Sequence, residues 1–169
     1  MTDYVALLRA VNVGGRGILK MEDLHAICAA RGLENVRTQG QSGNVLFQSD
    51  RAERSLKQEL ERAATDKMGR TVGVLIRTIP ELRAVLGANP FRKPDPAFVG
   101  VIFLPKVLPV RLLTELALEG PEELRMIGRE VFVHYPDGIG RSKLKLPFAT
   151  DGTTRNLNTI AKILAMAGA

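Results

Sequence analysis

Tyr4-Val5-Ala6-Leu7-Leu8-Arg9-Ala10-Val11 is an almost unbroken apolar run of strand length. A strand with one wet face would alternate, so this run marks a strand covered on both faces. The elements after it decide the fold. Residues 12–17 form a glycine-rich loop. Met21, Leu24, Ile27 and Cys28 then recur at helical spacing, with Glu22 and Asp23 in the first turn, where acids complement the helix dipole. Gly32 ends that helix. Residues 35–38 and 44–49 read as two short strands joined across Gly40-Gln41-Ser42-Gly43. Ala52, Leu56, Leu60, Ala63 and Ala64 make the buried stripe of a second helix, closed near Gly69. Val72, Val74 and Ile76 alternate with Thr71, Gly73, Leu75 and Arg77, a strand pattern. The order β-α-β-β-α-β is the split βαβ, or ferredoxin-like, unit.

The order then begins again. A short helix at 80–86 and a proline-rich connector lead to a strong strand over 98–104. Residues 110–118 read as a helix, and 123–127 with 130–135 as a hairpin turning at Gly128-Arg129. A polar stretch over 136–153 precedes a last helix with Leu157, Ile160, Ala161 and Leu164 on one face. This half reads β-α-β-β-α, the same unit without its last strand. The expected fold is therefore α+β. It has two tandem ferredoxin-like subdomains, residues 1–79 and 98–169, joined by the connector 80–97 and packed as one compact unit.

Composition narrows the class. The chain has 169 residues, 45% hydrophobic and 25% charged, which supports a core and excludes disorder or a low-complexity chain. Its single cysteine cannot form an internal disulfide framework, which points to a reducing compartment. No segment approaches the ~18 uninterrupted apolar residues of a membrane span. Met1-Thr2-Asp3-Tyr4 does not open a secretory signal. The expectation is a cytoplasmic protein with no membrane partner.

Charge is localised. The formal net charge is +6, of which Arg9, Arg16 and Lys20 give +3 between residues 4 and 20, where no acid falls. Between 138 and 162, Arg141, Lys143, Lys145, Arg155 and Lys162 against Asp151 give +4, leaving the rest of the chain at −1. Both segments are rich in small polar residues. Such concentration favours an anionic partner, either a small phosphorylated or carboxylate ligand or a nucleic acid backbone, although basic charge also serves solubility.

Three segments qualify as sites. In the loop after the first strand, Asn12, Gly14 and Gly15 allow backbone N–H groups to approach an anion, and Arg9, Arg16 and Lys20 supply charge. The loop matches neither the Walker nor the dinucleotide pattern, so it names no cofactor, and the same glycines also suit a tight turn. Ser42 and Asn44 belong to an ordinary-looking hairpin turn, but a βαββαβ order brings that turn to the same end as the glycine loop. In the third segment, Thr153 or Thr154 reads as the N-cap of the last helix, with Arg155 in its first turn beside Asn156, Asn158 and Thr159. A cation there opposes the helix dipole, and a bound anion would reverse the sign. A solvent-reaching arginine is the simpler alternative. Lys143 lies in a nearby basic stretch that either closes over an anion or is merely solvated.

The remaining candidates are weak. His25 and Cys28 are neighbours on one helix, but Cys28 belongs to its apolar stripe. His134 has no ligand-spaced partner, and two histidines with one cysteine argue against a metal site.

Ala6-Leu7-Leu8-Arg9-Ala10-Val11-Asn12-Val13-Gly14-Gly15, Lys20-Met21, Ser42-Gly43-Asn44-Val45 and Thr153-Thr154-Arg155-Asn156-Leu157-Asn158-Thr159 together resemble domain-of-unknown-function family 1697. The resemblance runs over essentially the whole chain. It implies a cytoplasmic, mostly bacterial protein with two ferredoxin-like halves and supplies no reaction. Leu157 stands where the family usually carries Trp, and Asp151-Gly152 replaces a more apolar approach to the Thr-Thr-Arg-Asn run.

Three functions are expected on these grounds. The first is a pocket for a small phosphorylated or carboxylate ligand. Its enzymatic version is phosphoryl or acyl-phosphate chemistry by analogy with acylphosphatases, with Arg16 or Arg155 holding the anion and Asn44 orienting water. The second is nucleic-acid binding, against which residues 44–49 offer one Phe and the chain no Trp. The third is a protein-interaction module.

Overall fold

The structure, a computed structural model, describes residues 1–9 and 19–168. Among these residues the chain is α+β, with two four-stranded antiparallel sheets and five helices. It divides into two units, residues 1–83 together with 162–169, and residues 84–161.

The first unit runs β1 (Thr2–Leu8), α1 (Met21–Ala29), β2 (Glu34–Gln39), β3 (Asn44–Ser49), α2 (Glu53–Met68) and β4 (Val74–Thr78), followed by α3 (Ile79–Gly87). The sheet order is β2-β3-β1-β4. The central strand β1 pairs antiparallel with β3, Tyr4 opposite Phe47, and with β4, Ala6 opposite Ile76. One sheet face buries Tyr4, Ala6, Leu8, Phe47 and Ile76 against Leu24 and Cys28 of α1 and Leu56 and Leu60 of α2. Each large apolar side chain among them contributes about 1.5–3 kcal/mol relative to exposure. Gly69 closes α2 at φ 69°, its N–H donating to the Thr65 carbonyl. In β2 the register slips between Glu34 and Arg37 around Asn35, whose φ is 50°. This is a bulge that an asparagine tolerates in the left-handed region.

The alternation over 71–77 places Leu75 and Arg77 outward, but the structure buries both to 1% exposure. Val5, Leu7 and Leu46 of the same sheet face are buried as well. The sheet is covered on both faces, as the continuous apolar run of β1 implied.

The second unit begins within α3 and continues with a 3-10 turn, Pro96–Phe98, whose N-terminal Asp95 carboxylate accepts the Ala97 amide at 2.8 Å. It continues through β5 (Val99–Phe103), α4 (Arg111–Thr114), β6 (Glu123–Ile127), β7 (Glu130–His134) and two 3-10 turns, Ile139–Arg141 and Pro147–Asp151. It then enters β8 (Thr153–Asn156) and α5 (Leu157–Met166), whose last residues fall in the first unit. The sheet order is β6-β7-β5-β8. The hairpin turns at Gly128, φ 61°, with Ile127 opposite Glu130.

Two expectations need correction. The helix expected over 110–118 lasts one turn, because the Leu116 amide bonds back three residues to the Leu113 carbonyl, a tightening that closes it. The second half does not lack its last strand. Thr153–Asn156 pairs antiparallel with β5, Phe103 opposite Thr153 and Val101 opposite Arg155. A polar tetrapeptide becomes a strand here because β5 offers it a hydrogen-bond ladder, which satisfies backbone groups regardless of side chain. What this unit lacks, relative to β-α-β-β-α-β, is the helix between β7 and β8, where the two 3-10 turns stand.

Candidate functional site

Asn12, Gly14 and Gly15, together with Arg16, lie outside the described residues. The point at which their loop leaves the sheet is nonetheless defined. At the C-terminal end of β1, the Leu8 amide donates to the Gly43 carbonyl and the Arg9 amide to the Gly73 carbonyl, both at 2.8 Å. A strand flanked on both sides directs successive amides to opposite neighbours. Arg9 is therefore held between the β2–β3 turn and the entry to β4. Its stem lies over Gly73, where an added Cβ would meet Arg9 Cβ and Cδ at 3.6 Å. The Glu61 carboxylate is near the same point, at 3.9 Å, and is engaged by Lys57 at 2.9 Å.

Ser42 is exposed on this turn, and Asn44, opposite Leu7, is buried. Asn44 Nδ2 donates to the Gln39 carbonyl at 3.3 Å and to Gln39 Oε1 at 3.1 Å, so the side chain braces its own hairpin. Lys20 is exposed and precedes α1, its carbonyl accepting the Asp23 and Leu24 amides.

In the second unit, Arg155 does not crowd the N-terminus of a helix; it is a strand residue, 8% exposed. Its Nη1 donates to Thr153 Oγ1 at 2.7 Å and to the Thr154 carbonyl at 3.0 Å. Burial brings its pKa down from 12.5 to about 10, which leaves it a cation at neutral pH. The cap of α5 is Asn156, whose Oδ1 accepts the Thr159 amide at 2.8 Å. Asn158 is exposed in the first turn of α5. Lys143 is exposed on the wall of a cavity of about 450 Å³, which also includes Lys145, Glu119 and Glu122.

The weaker candidates take structural roles. Burial pushes the Cys28 thiol up to about 12, against a minor opposing effect of Arg31, and His25 is exposed on the same helix. His134 packs against Phe91 with the two rings tilted by 39° and their centroids 5.9 Å apart. Among the described residues, no three His, Cys, Asp or Glu side chains gather closely enough to hold a metal ion.

Sequence reasoning missed two features. Strand alternation points Arg77 outward, yet it is buried with Nη1 donating to the Ile76 carbonyl at 2.9 Å. A lone arginine after Val-Leu-Ile was the available signal. Glu122 has the pattern of a surface acid, yet it accepts the Ser142 hydroxyl at 2.6 Å across 20 residues. No local pattern announces that contact.

The fold is thus an α+β chain with basic and small polar residues at the end of its first sheet. The chain belongs to the family described as Protein of unknown function (DUF1697), whose model matches residues 1–132. The match stops short of Thr153-Thr154-Arg155-Asn156. The chain is also similar to the solved structure of the conserved bacterial protein SP0830 from Streptococcus pneumoniae, at 25% identity and a TM-score of 0.78, over 100% of this chain and 99% of that one. No curated protein matches it. No helix among the described residues is long and apolar enough to cross a membrane.

Proposed function

We propose that the chain binds a small phosphorylated or carboxylate ligand where the glycine-rich loop leaves β1, with Arg9 as the principal cation. The observation that carries this reading is the convergence at one strand end of Arg9, the Ser42-Gly43-Asn44 turn and Gly73, three segments distant in sequence. A partly buried arginine whose stem lies over Gly73, among small residues, matches the chemistry of anion recognition. Lys20 and the loop residues Asn12, Gly14 and Gly15 complete the proposed set, with Ser42 supplying a hydroxyl. Asn44, braced on Gln39, shapes the turn. The lowered cost of charge at Arg155 that a bound anion would bring, together with Thr154, Asn156 and Asn158, makes that region a secondary candidate.

The strand orders β2-β3-β1-β4 and β6-β7-β5-β8 support reading both units as ferredoxin-like, divided within residues 80–97. A cytoplasmic setting suits the single, unbridged and buried Cys28.

Thermal melting of the full chain with inorganic phosphate, a sugar phosphate and citrate tests the reading. A ligand at a hundred times its Kd adds about 2.7 kcal/mol, which raises Tm by roughly 5–10 °C for a chain of this size. Arg9→Ala is expected to abolish the shift while melting within a few degrees of the parent in buffer. No shift with any anion refutes the proposal. Binding to single- or double-stranded nucleic acid that weakens steeply with salt, with no response to the small anions, replaces it with the nucleic-acid reading.

A further inference from the structure

The cavity in the second unit is lined by residues of that unit alone and has a charge arrangement of its own. One wall is formed by residues 116–120 and 122, the other by Lys143, Leu144 and Lys145. The second wall is extended backbone between the two 3-10 turns, with Ser142 at ψ 137° and Leu146 at ψ 109°. In an extended chain residues two apart share a side, about 7 Å from one another. Lys143 and Lys145 accordingly both face outward, while Leu144 and Leu146 pack on the core of this unit. The wall is anchored by Ser142, whose hydroxyl donates to Glu122 Oε1 at 2.6 Å and accepts the Leu144 amide at 3.1 Å. Glu122 folds over Gly120, against the position a Cβ would occupy there, so a glycine at 120 is needed for the carboxylate to lie as it does.

The two walls therefore carry opposite charge: Glu119 and Glu122 on one, Lys143 and Lys145 on the other. Among the described residues these groups form no ion pair across the gap. They flank a space of about 450 Å³ whose apolar side-chain lining comes from Leu116, Ala117 and Leu118, the Leu144 side chain lying on the core side of its own wall. That volume falls within the roughly 300–1,000 Å³ of small-molecule pockets, which combine apolar walls with a few polar groups that fix orientation. A purely anionic ligand would meet two carboxylates, and a purely cationic one two ammonium groups. A dipolar molecule satisfies both walls at once.

We propose that this cavity binds a free apolar α-amino acid, its carboxylate toward Lys143 and Lys145, its ammonium toward Glu119 and the unshared oxygen of Glu122, and its side chain against the leucines.

Isothermal titration of the full chain with L-leucine is expected to give saturable binding. Two fragments divide the charges: 4-methylpentanoate lacks the ammonium, and 3-methylbutylamine lacks the carboxylate. Loss of a charge-assisted contact weakens binding about tenfold or more, and each fragment should show that loss. Glu119→Gln and the double variant Lys143→Gln with Lys145→Gln alter exposed side chains and should weaken L-leucine by a similar factor while melting like the parent. Arg9→Ala should bind L-leucine unchanged, so failure here and failure of the anion proposal are separate results. Absence of binding by L-leucine, L-methionine and L-phenylalanine overturns the proposal. So does 4-methylpentanoate binding as tightly as L-leucine, which would mark a simple anion site.

Discussion

Thr153 Oγ1 accepts a hydrogen bond from Arg155 Nη1 at 2.7 Å, a charge-assisted contact between two buried residues on one face of β8. A buried guanidinium that loses an acceptor keeps its desolvation cost without the compensation. Thr153→Val preserves shape and removes that acceptor, and it is expected to destabilise the protein by about 1–3 kcal/mol. Arg155→Met, which removes the charge as well, should cost less than Thr153→Val. Urea denaturation of the two variants checks the order. The reverse order would mean that the arginine stabilises the fold in its own right.

At the start of α3, Thr78 and Glu81 satisfy one another: the Thr78 amide donates to Glu81 Oε1 at 3.1 Å, and the Glu81 amide to Thr78 Oγ1 at 3.2 Å. This reciprocal capping box encloses Pro80, which suits a first turn. Thr78→Ala should cost about 0.5–2 kcal/mol in thermal or chemical denaturation. A double-mutant cycle with Glu81→Ala should show coupling, because the two contacts form a unit.

Gly152 lies where β8 leaves the preceding 3-10 turn. A Cβ there would stand 2.7 Å from the Phe103 backbone carbonyl and 3.0 Å from Leu104 Cδ2. Backbone cannot yield as a flexible side-chain tip can, so Gly152→Ala should push β8 from β5 and cost about 1–3 kcal/mol. Hydrogen exchange provides the site-specific reading, with Arg155 and nearby amides losing protection before those of β1.

Cys28 and Tyr135 are both held up to about 12 from ordinary values of 9.0 and 10.0, chiefly by burial, with Glu122 adding repulsion at Tyr135. Above pH 9 the unfolded chain loses the thiol proton while the folded chain keeps it. Stability from this source is therefore complete below pH 9 and falls as pH rises toward 12, by about 1.4 kcal/mol per pH unit for each group once its unfolded form is ionised. Urea midpoints at pH 8 and pH 10 should differ less in Cys28→Ala than in the parent. Native Cys28 should also resist iodoacetamide at pH 8 and react promptly in urea.

Much of the architecture was legible in the sequence because it depends on local patterns. The apolar run of β1 implied cover on both faces, the periodic residues of α1 and α2 marked their buried stripes, and Gly128-Arg129 turned the β6–β7 hairpin where expected. The charge distribution likewise singled out the segments carrying Arg9 and Lys143. Tertiary structure decided what those patterns do not encode. Thr153–Asn156 has no apolar alternation and became a strand because β5 supplied its hydrogen bonds, which moved Arg155 from an expected helix start into a buried ladder. The meeting of Leu8 with Gly43, of Arg9 with Gly73, and of Ser142 with Glu122, depends on strand order and chain return. Side-chain periodicity reports which face of an element is dry; only the packed chain determines which distant backbone will be its neighbour.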